Sequence, residues 1–300
     1  MDLSVPQLAI PSQPSSASNA IYTFRRPRPQ LFALPYTIMN YMFTKPSSGK
    51  AWKKLIMTCK YFFSKNPIFP VESLKSIANN KWNADGEVFD PTKSVAKLWL
   101  YKDINVSFYT NAPTSLSSII PKICKCDLRL IEIWRHTLTF NEYQFLTSSG
   151  KCESITLAFC DIKNDDGTYV AFEKLFENIP KVEDFHMHCS GNCFPMFKPD
   201  TFNKLADVTS NNGLKWLSLG GLTEDFDFST TLDFLLKIKK SLNVSLQYRN
   251  RVPLSNAYKE NLETCIAKII ATPPERIPNI TFPGFEESTL YNDYKKLRGF

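Results

Sequence analysis

Two histidines and two cysteines fall close together in His186-Met187-His188-Cys189 and then Cys193. In an extended strand successive side chains alternate, which puts His186 and His188 on one face and Phe185 and Met187 on the other. Two imidazoles beside a thiolate are zinc-ligand chemistry. No spacing here matches a known metal motif, so the plainer expectation is a pair of histidines on an exposed sheet face beside a buried cysteine, with no metal and no cofactor. Cys124-Lys125-Cys126 is too close to act as a metal pair without a second one. Asp165-Asp166-Gly167 reads as a turn, because the alternating ligands and terminal Glu of a calcium loop are missing. The chain has no G-x-G-x-x-G, phosphate-binding loop, G-x-S-x-G or H-E-x-x-H. With His136 as the third and last histidine, no nucleophile, base and orienting group come together in the sequence, and no enzyme is expected.

The histidines belong to a recurring apolar pattern that must position them. Five segments share apolar positions 1, 4 and 6: Val95/Leu98/Leu100, Leu128/Ile131/Ile133, Cys152/Ile155/Leu157, Val182/Phe185/Met187 and Leu214/Leu217/Leu219. Val244 and Leu246 form a weaker sixth, with Ser241 in the first place. This is the strand signature of a leucine-rich repeat, at irregular periods. Helical stretches separate the strands: Thr114 to Cys124, Asn141 to Thr147, Val170 to Asn178, Thr201 to Val208 and Thr230 to Lys240. A last amphipathic helix, Asn256 to Ala271, is stopped by Pro273-Pro274. The fold class is α/β, expected as an irregular leucine-rich-repeat-like solenoid of parallel strands with one helix per repeat. An ordinary open α/β sheet is the alternative, but its buried strands read as near-continuous apolar runs, whereas these alternate with polar residues.

Alternation also defines an outward face. Its candidate target-binding residues are Trp99, Glu132, Trp134, His186, His188 and Trp216. Tryptophans grouped on one surface mark partner sites, and parallel stacking sets Trp99 and Trp134 on neighbouring strands. The competing expectation is that helices or the C-terminal tail cover this face and make the tryptophans core.

Leu34 to Phe63 reads as two short helices around the polar turn Lys45-Pro46-Ser47-Ser48-Gly49. Trp52, Leu55, Ile56, Cys59, Phe62 and Phe63 make an apolar stripe in the second. Helices this short draw their stability from docking on something else. Leu34-Pro35 followed by Cys59-Lys60-Tyr61-Phe62-Phe63 resembles an F-box. CKYFFSKNPIFPV, and later LTFNEYQFLTSSG with DIKNDDGTYVAFEKLFENIP, are similar to a nematode F-box-like protein family, over most of residues 34 to 250. The resemblance implies a substrate-recognition subunit of a cullin-based, SCF-type ubiquitin ligase. In that family pattern Leu34, Pro35, Ile38, Met42, Leu55 and Cys59 would bind the ligase adaptor, and the repeat face would bind a target protein. Lys45 to Lys50 departs from it, being polar where many F-boxes carry an acidic-apolar hinge. The alternative is a non-enzymatic interaction scaffold whose F-box-like helices only cap the repeats.

The charge bears on partners. The chain of 300 residues has a formal net charge of +7 and is 43% hydrophobic, enough for a sizeable core. All of that excess lies in residues 1–63, with eight bases and Asp2 as the one acid. The remainder is balanced, which argues against nucleic acid spread over its surface. No apolar run reaches the length of a membrane span, and Met1 to Ala20 does not read as a signal peptide, so a cytoplasmic or nuclear location is expected. Eight cysteines then read as free thiols. Residues 1–33 form a proline- and serine-rich tail with a basic patch, Arg25-Arg26-Pro27-Arg28. Residues 64–94 read as a connector with a short helix near Val71 to Ile77, residues 95–250 as the repeat domain, and 251–300 as a C-terminal helix and tail.

Overall fold

The computed structural model describes residues 34–77, 81–93, 96–107, 116–209, 212–237 and 242–299. The expected tail 1–33, with its arginine patch, and Val95 lie outside the described residues. The chain divides into two compact units, Met1–Asn40 and Tyr41–Phe300. In the first, the Pro35 carbonyl accepts from the N–H groups of Ile38 and Met39 and starts helix α1 (Tyr36–Thr44), which runs on into the second.

In the second unit α2 (Gly49–Thr58) and α3 (Lys60–Lys65) follow. Ser48 caps α2, its Oγ accepting the Ala51 N–H at 3.1 Å. The continuous second helix expected from the sequence is broken: Cys59 is extended, and its N–H closes α2 on the Leu55 carbonyl at 3.1 Å. The break turns Phe62 edge-on against Trp52, ring centroids 6.2 Å apart.

The strands are β1 (Ile68–Ile77), β2 (Lys81–Ala84), β3 (Glu87–Phe89), β4 (Lys97–Val106), β5 (Ile123–Cys126), β6 (Leu130–Trp134), β7 (Thr137–Thr139), β8 (Ser154–Ala158), β9 (Asp161–Lys163), β10 (Asp184–His188), β11 (Trp216–Leu222), β12 (Asn243–Tyr248) and β13 (Asn279–Thr281). Eleven of them make one sheet in the order β13-β12-β11-β10-β8-β6-β4-β1-β2-β3, with β5 also beside β4. Neighbours from β13 to β1 run parallel, whereas β1–β2 and β2–β3 are antiparallel. β7 and β9 form a separate parallel pair.

Period-2 alternation sends Ile131, Ile133, Ile155, Leu157, Phe185, Met187, Leu217, Leu219, Val244 and Leu246 to one side, all buried. The connecting elements cover that side: α4 (Leu116–Ile119), α5 (Phe140–Thr147), a 3-10 turn at Phe172–Phe176, α6 (Thr201–Thr209), α7 (Ser229–Leu236) and α8 (Asn256–Ala271), with α9 (Tyr291–Leu297) last. α5 starts in a capping box, the Thr139 Oγ1 accepting the Glu142 N–H and the Glu142 carboxylate accepting the Thr139 N–H. Phe172, Phe176 and Phe185 pack ring to ring, as do Phe197, Phe202 and Phe226, at centroid distances between 4.5 and 6.2 Å. Such pairs add about 0.5–1.5 kcal/mol each beyond simple burial.

This is a mixed α/β fold around a largely parallel sheet, and not the leucine-rich-repeat solenoid expected. Antiparallel strands extend one edge, β5 enters beside β4, and the connections range from helices to 3-10 turns. Apolar–polar alternation reports a half-exposed strand and carries no information about whether the connections repeat.

Two further expectations are corrected. Val71 to Ile77 is not a helix but most of β1. Val71 and Leu74 are both buried on one face, three residues apart, because the ladder slips there: Val71 to Ser73 of β1 faces Leu100 to Asp103 of β4, which carries one residue more, and the resulting spacing in β1 imitates a helical one. The N–H groups of Glu72 and Ser73 beside this β4 bulge donate to Asp85 Oδ1 at 2.9 and 2.8 Å. The register of β4 is also displaced. The sequence pattern aligns Leu98 with Ile131, but the ladder pairs Ile104 with Ile131 and Val106 with Ile133, while Leu98 pairs with Ile123 of β5.

Candidate functional site

Facing away from the connecting helices, the sheet presents three rows of side chains set by the ladder register. The first runs Asp103, Leu130, Ser154, Asp184, Trp216, Asn243, and the second Asn105, Glu132, Thr156, His186, Ser218, Ser245, Asn279. The third is Trp134, Ala158, His188, Gly220. Members of a row sit about 4.8 Å apart from strand to strand. Five of the six sequence-predicted target residues therefore share this face: Glu132, Trp134, His186, His188 and Trp216.

Trp99 does not belong with them. It pairs with Pro70 on one side and Lys125 on the other, is 2% exposed, and has no place beside Trp134. Its indole N–H donates to Asp127 Oδ2 at 2.7 Å, and the Lys125 ammonium lies 3.9 Å from the ring centroid. At this end of the sheet α2 is packed against the same face. The ring of Tyr101, two residues beyond Trp99, lies so close to Gly49 that any Cβ there would meet it at 2.5 Å. The Trp52 indole donates to the Ile68 carbonyl at 2.9 Å. The competing expectation, that helices bury the face, thus holds at β1 and β4.

Further along, the face is polar and tied together. Glu132 accepts from Asn105 Nδ2 at 2.5 Å and from the Trp134 indole at 2.8 Å, so both its oxygens are used in orienting neighbours. Ser245 Oγ accepts from Gln247 at 3.1 Å and Asn279 at 3.2 Å. Leu130 and Trp216, 43% and 41% exposed, are the large apolar side chains most open to solvent on this face. His186 is half-buried. His188 packs against Phe159, the rings tilted by 54° with centroids 4.4 Å apart. Burial first, and the nearby Arg249 charge second, push its pKa below the ordinary histidine value.

The His186, His188 and Cys193 trio is not assembled. The imidazoles lie on the open face, whereas Cys193 is buried in the core with Cys189. A hydrogen bond between the two thiols, together with burial, holds Cys189 protonated. Among the described residues no group of three or more His, Cys, Asp or Glu side chains is placed to hold a metal ion. Chemically the face offers oriented indoles, amides, hydroxyls and imidazoles, the inventory of a binding surface.

Of the sequence-predicted adaptor residues, Leu34 and Ile38 are 47% and 46% exposed, and Pro35 is exposed as well. Met42, Leu55 and Cys59 are half-buried. Tyr36, Tyr41 and Met57, which the motif does not single out, are more open still. Sequence reasoning also missed Phe159 and Arg249, which sit just past the ends of β8 and β12, where the apolar pattern that flags strands has stopped. No helix among the described residues is long and apolar enough to cross a membrane. Comparison with protein-family models and with curated proteins returns no match.

Proposed function

We propose that this chain is a non-enzymatic binding protein that acts as a substrate-recognition subunit of an SCF-type ubiquitin ligase. Its N-terminal helices would engage the ligase adaptor through Leu34, Pro35, Ile38, Met42, Leu55 and Cys59, and the open sheet face would capture a target protein in the cytoplasm or nucleus. The observation that carries this reading is where the chain leaves apolar surface in water. Of eleven large apolar side chains exposed among the described residues, Leu34, Tyr36, Ile38, Tyr41 and Met57 fall within the F-box-like segment. Apolar side chains concentrated in one short segment of a chain with a well-filled core mark a partner site. On the target side the support is the row structure, with Trp134 and Trp216 flanking oriented polar groups.

A second reading has its own support. α2 is docked on β1 and β4 through Trp52 and Gly49, and on the β2–β3 turn through the Lys53–Asp85 ion pair. A scaffold whose helices merely cap the sheet would be built the same way. Co-precipitation with the purified ligase adaptor separates the two. The receptor reading expects wild type to retain the adaptor, and Leu34→Ala with Ile38→Ala to lose it without a change in melting temperature. Retention by that double variant, or none by wild type, overturns it.

A further inference from the structure

The carboxyl ends of β8, β10, β11, β12 and β13 surround a cleft of about 550 Å³, lined among others by Phe159, His188, Gln247, Arg249, Arg251 and Thr281. In parallel sheets this end of the strands is where ligands bind, because the loops there diverge and leave a crevice. No Asp or Glu lines it. Neither Arg249 nor Arg251 forms an ion pair with a carboxylate among the described residues. Two uncompensated guanidinium groups in one concavity attract an anion.

Arg249 is held in place. Its Nε donates to the Gly221 carbonyl and its Nη2 to the Cys189 carbonyl, each at 3.0 Å, so the guanidinium is fixed across two strand ends. Those two bonds use one edge of the fork and leave the other, with one N–H on each Nη, for a ligand. A planar edge of two parallel donors matches the two oxygens of a carboxylate. Beside it the wall is aromatic. His188 lies between Phe159 and the Gly220-Gly221 backbone, where a Cβ on either glycine would come within 2.7 Å of the imidazole.

We propose that this cleft binds the carboxylate of an acidic peptide segment, with Arg249 and Arg251 as the anion-binding groups and the Phe159–His188 wall packing against the neighbouring apolar part of the peptide. His188 is shared with the third row of the open face, so the assignment deepens the target-capture reading and rests on it for its biological meaning. Phosphate shares the affinity for guanidinium, but no lysine lines the cleft to answer its additional oxygens.

The test uses the purified full chain and a fluorescein-labelled peptide of alternating Glu and Phe, followed by fluorescence anisotropy. Its Gln–Phe counterpart and inorganic phosphate are the comparison arms. The expected result is binding of the Glu peptide that weakens with added salt, with the Gln peptide about tenfold weaker or more. Arg251→Gln, an exposed change that leaves the melting temperature alone, should weaken the Glu peptide about fivefold or more. Arg249→Lys should do the same, since a point charge cannot replace the fork. Equal affinity for the two peptides, or unchanged binding by both arginine variants, overturns the proposal. So does displacement of the peptide by an equal concentration of inorganic phosphate, which would make this a phosphate site. Val88→Ala, an exposed change on β3 at the opposite margin of the sheet, should leave peptide affinity unchanged, and no adaptor is present. Failure here and failure of the receptor reading are therefore seen separately.

Discussion

The ammonium of Lys53 on α2 meets Asp85 Oδ2, in the turn between β2 and β3, while Asp85 Oδ1 accepts the two N–H groups freed by the β4 bulge. One carboxylate thus ties a helix, a hairpin turn and an irregular strand together, and Asp85 is itself held at a positive φ of 55°. Asp85→Ala would strand two backbone donors and the lysine at once. The expected loss is about 2–4 kcal/mol in denaturant unfolding, against about 1 kcal/mol for Lys53→Ala, which leaves the bulge satisfied. Equal losses would mean the ion pair, not the bulge, is what Asp85 secures.

The tryptophans should separate by stability. Trp99 is packed on both sides and its indole is hydrogen-bonded, so Trp99→Ala should cost about 3–5 kcal/mol. Trp216→Ala should stay within about 0.5 kcal/mol, as a surface change does. Thermal melts of the two single variants decide this, and a reversed order would contradict the ladder register.

Gly49→Ala places a methyl against Tyr101, with the three nearest ring and stem atoms at 2.5 to 2.7 Å. The backbone of Tyr101 belongs to β4 and cannot retreat, so α2 must. An overpacking loss of about 1–3 kcal/mol is expected, together with faster proteolysis within residues 45–66. Gly49→Ala with Tyr101→Ala removes the two ring contacts but keeps the Tyr101 Cβ at 2.7 Å, so it should recover part of the protease resistance if this contact is the cause.

Asp127 gives a pH signature. Burial works against its charge, but the bonds from Lys151 and Trp99 and the charges of Lys125 and Lys151 outweigh it, and its pKa lies below the ordinary aspartate value of 3.8. A carboxylate depressed in the folded state contributes stability that is fully present above its unfolded pKa and lost as pH falls through the folded one. The gap in melting temperature between wild type and Asp127→Asn should be widest near neutrality and close below pH 3.8. A gap that persists unchanged into acid would assign the difference to the Trp99 hydrogen bond alone.

Much of the sheet was legible because burial imposes a two-residue rhythm that no other constraint disturbs from β6 to β12. The span of α8 was legible in full, between Ser255, whose Oγ accepts the Tyr258 N–H, and the prolines that follow. The failures cluster at β1 and β4. A bulge counterfeits helical spacing at Val71 and Leu74, and the ten-residue β4 serves two partners, so the apolar pair that looks like the first repeat (Leu98, Leu100) is one strand-half away from the pair that aligns with β6. Trp99 was misplaced for the same reason. Glu132, Trp134, His186, His188 and Trp216 could be placed on one face because register follows alternation; Phe159 and Arg249 could not, because positions past a strand end obey loop geometry.

Both margins of the large sheet finish in strands of three residues, β3 and β13. A margin that short presents few unpaired backbone groups, and Glu87 adds a charge to one of them. A second copy of the chain finds almost no template on which to extend the sheet, while the ten-residue strands that would template it well, β1 and β4, are enclosed within it. Among the described residues, this arrangement protects the two margins of the large sheet against edge-to-edge aggregation.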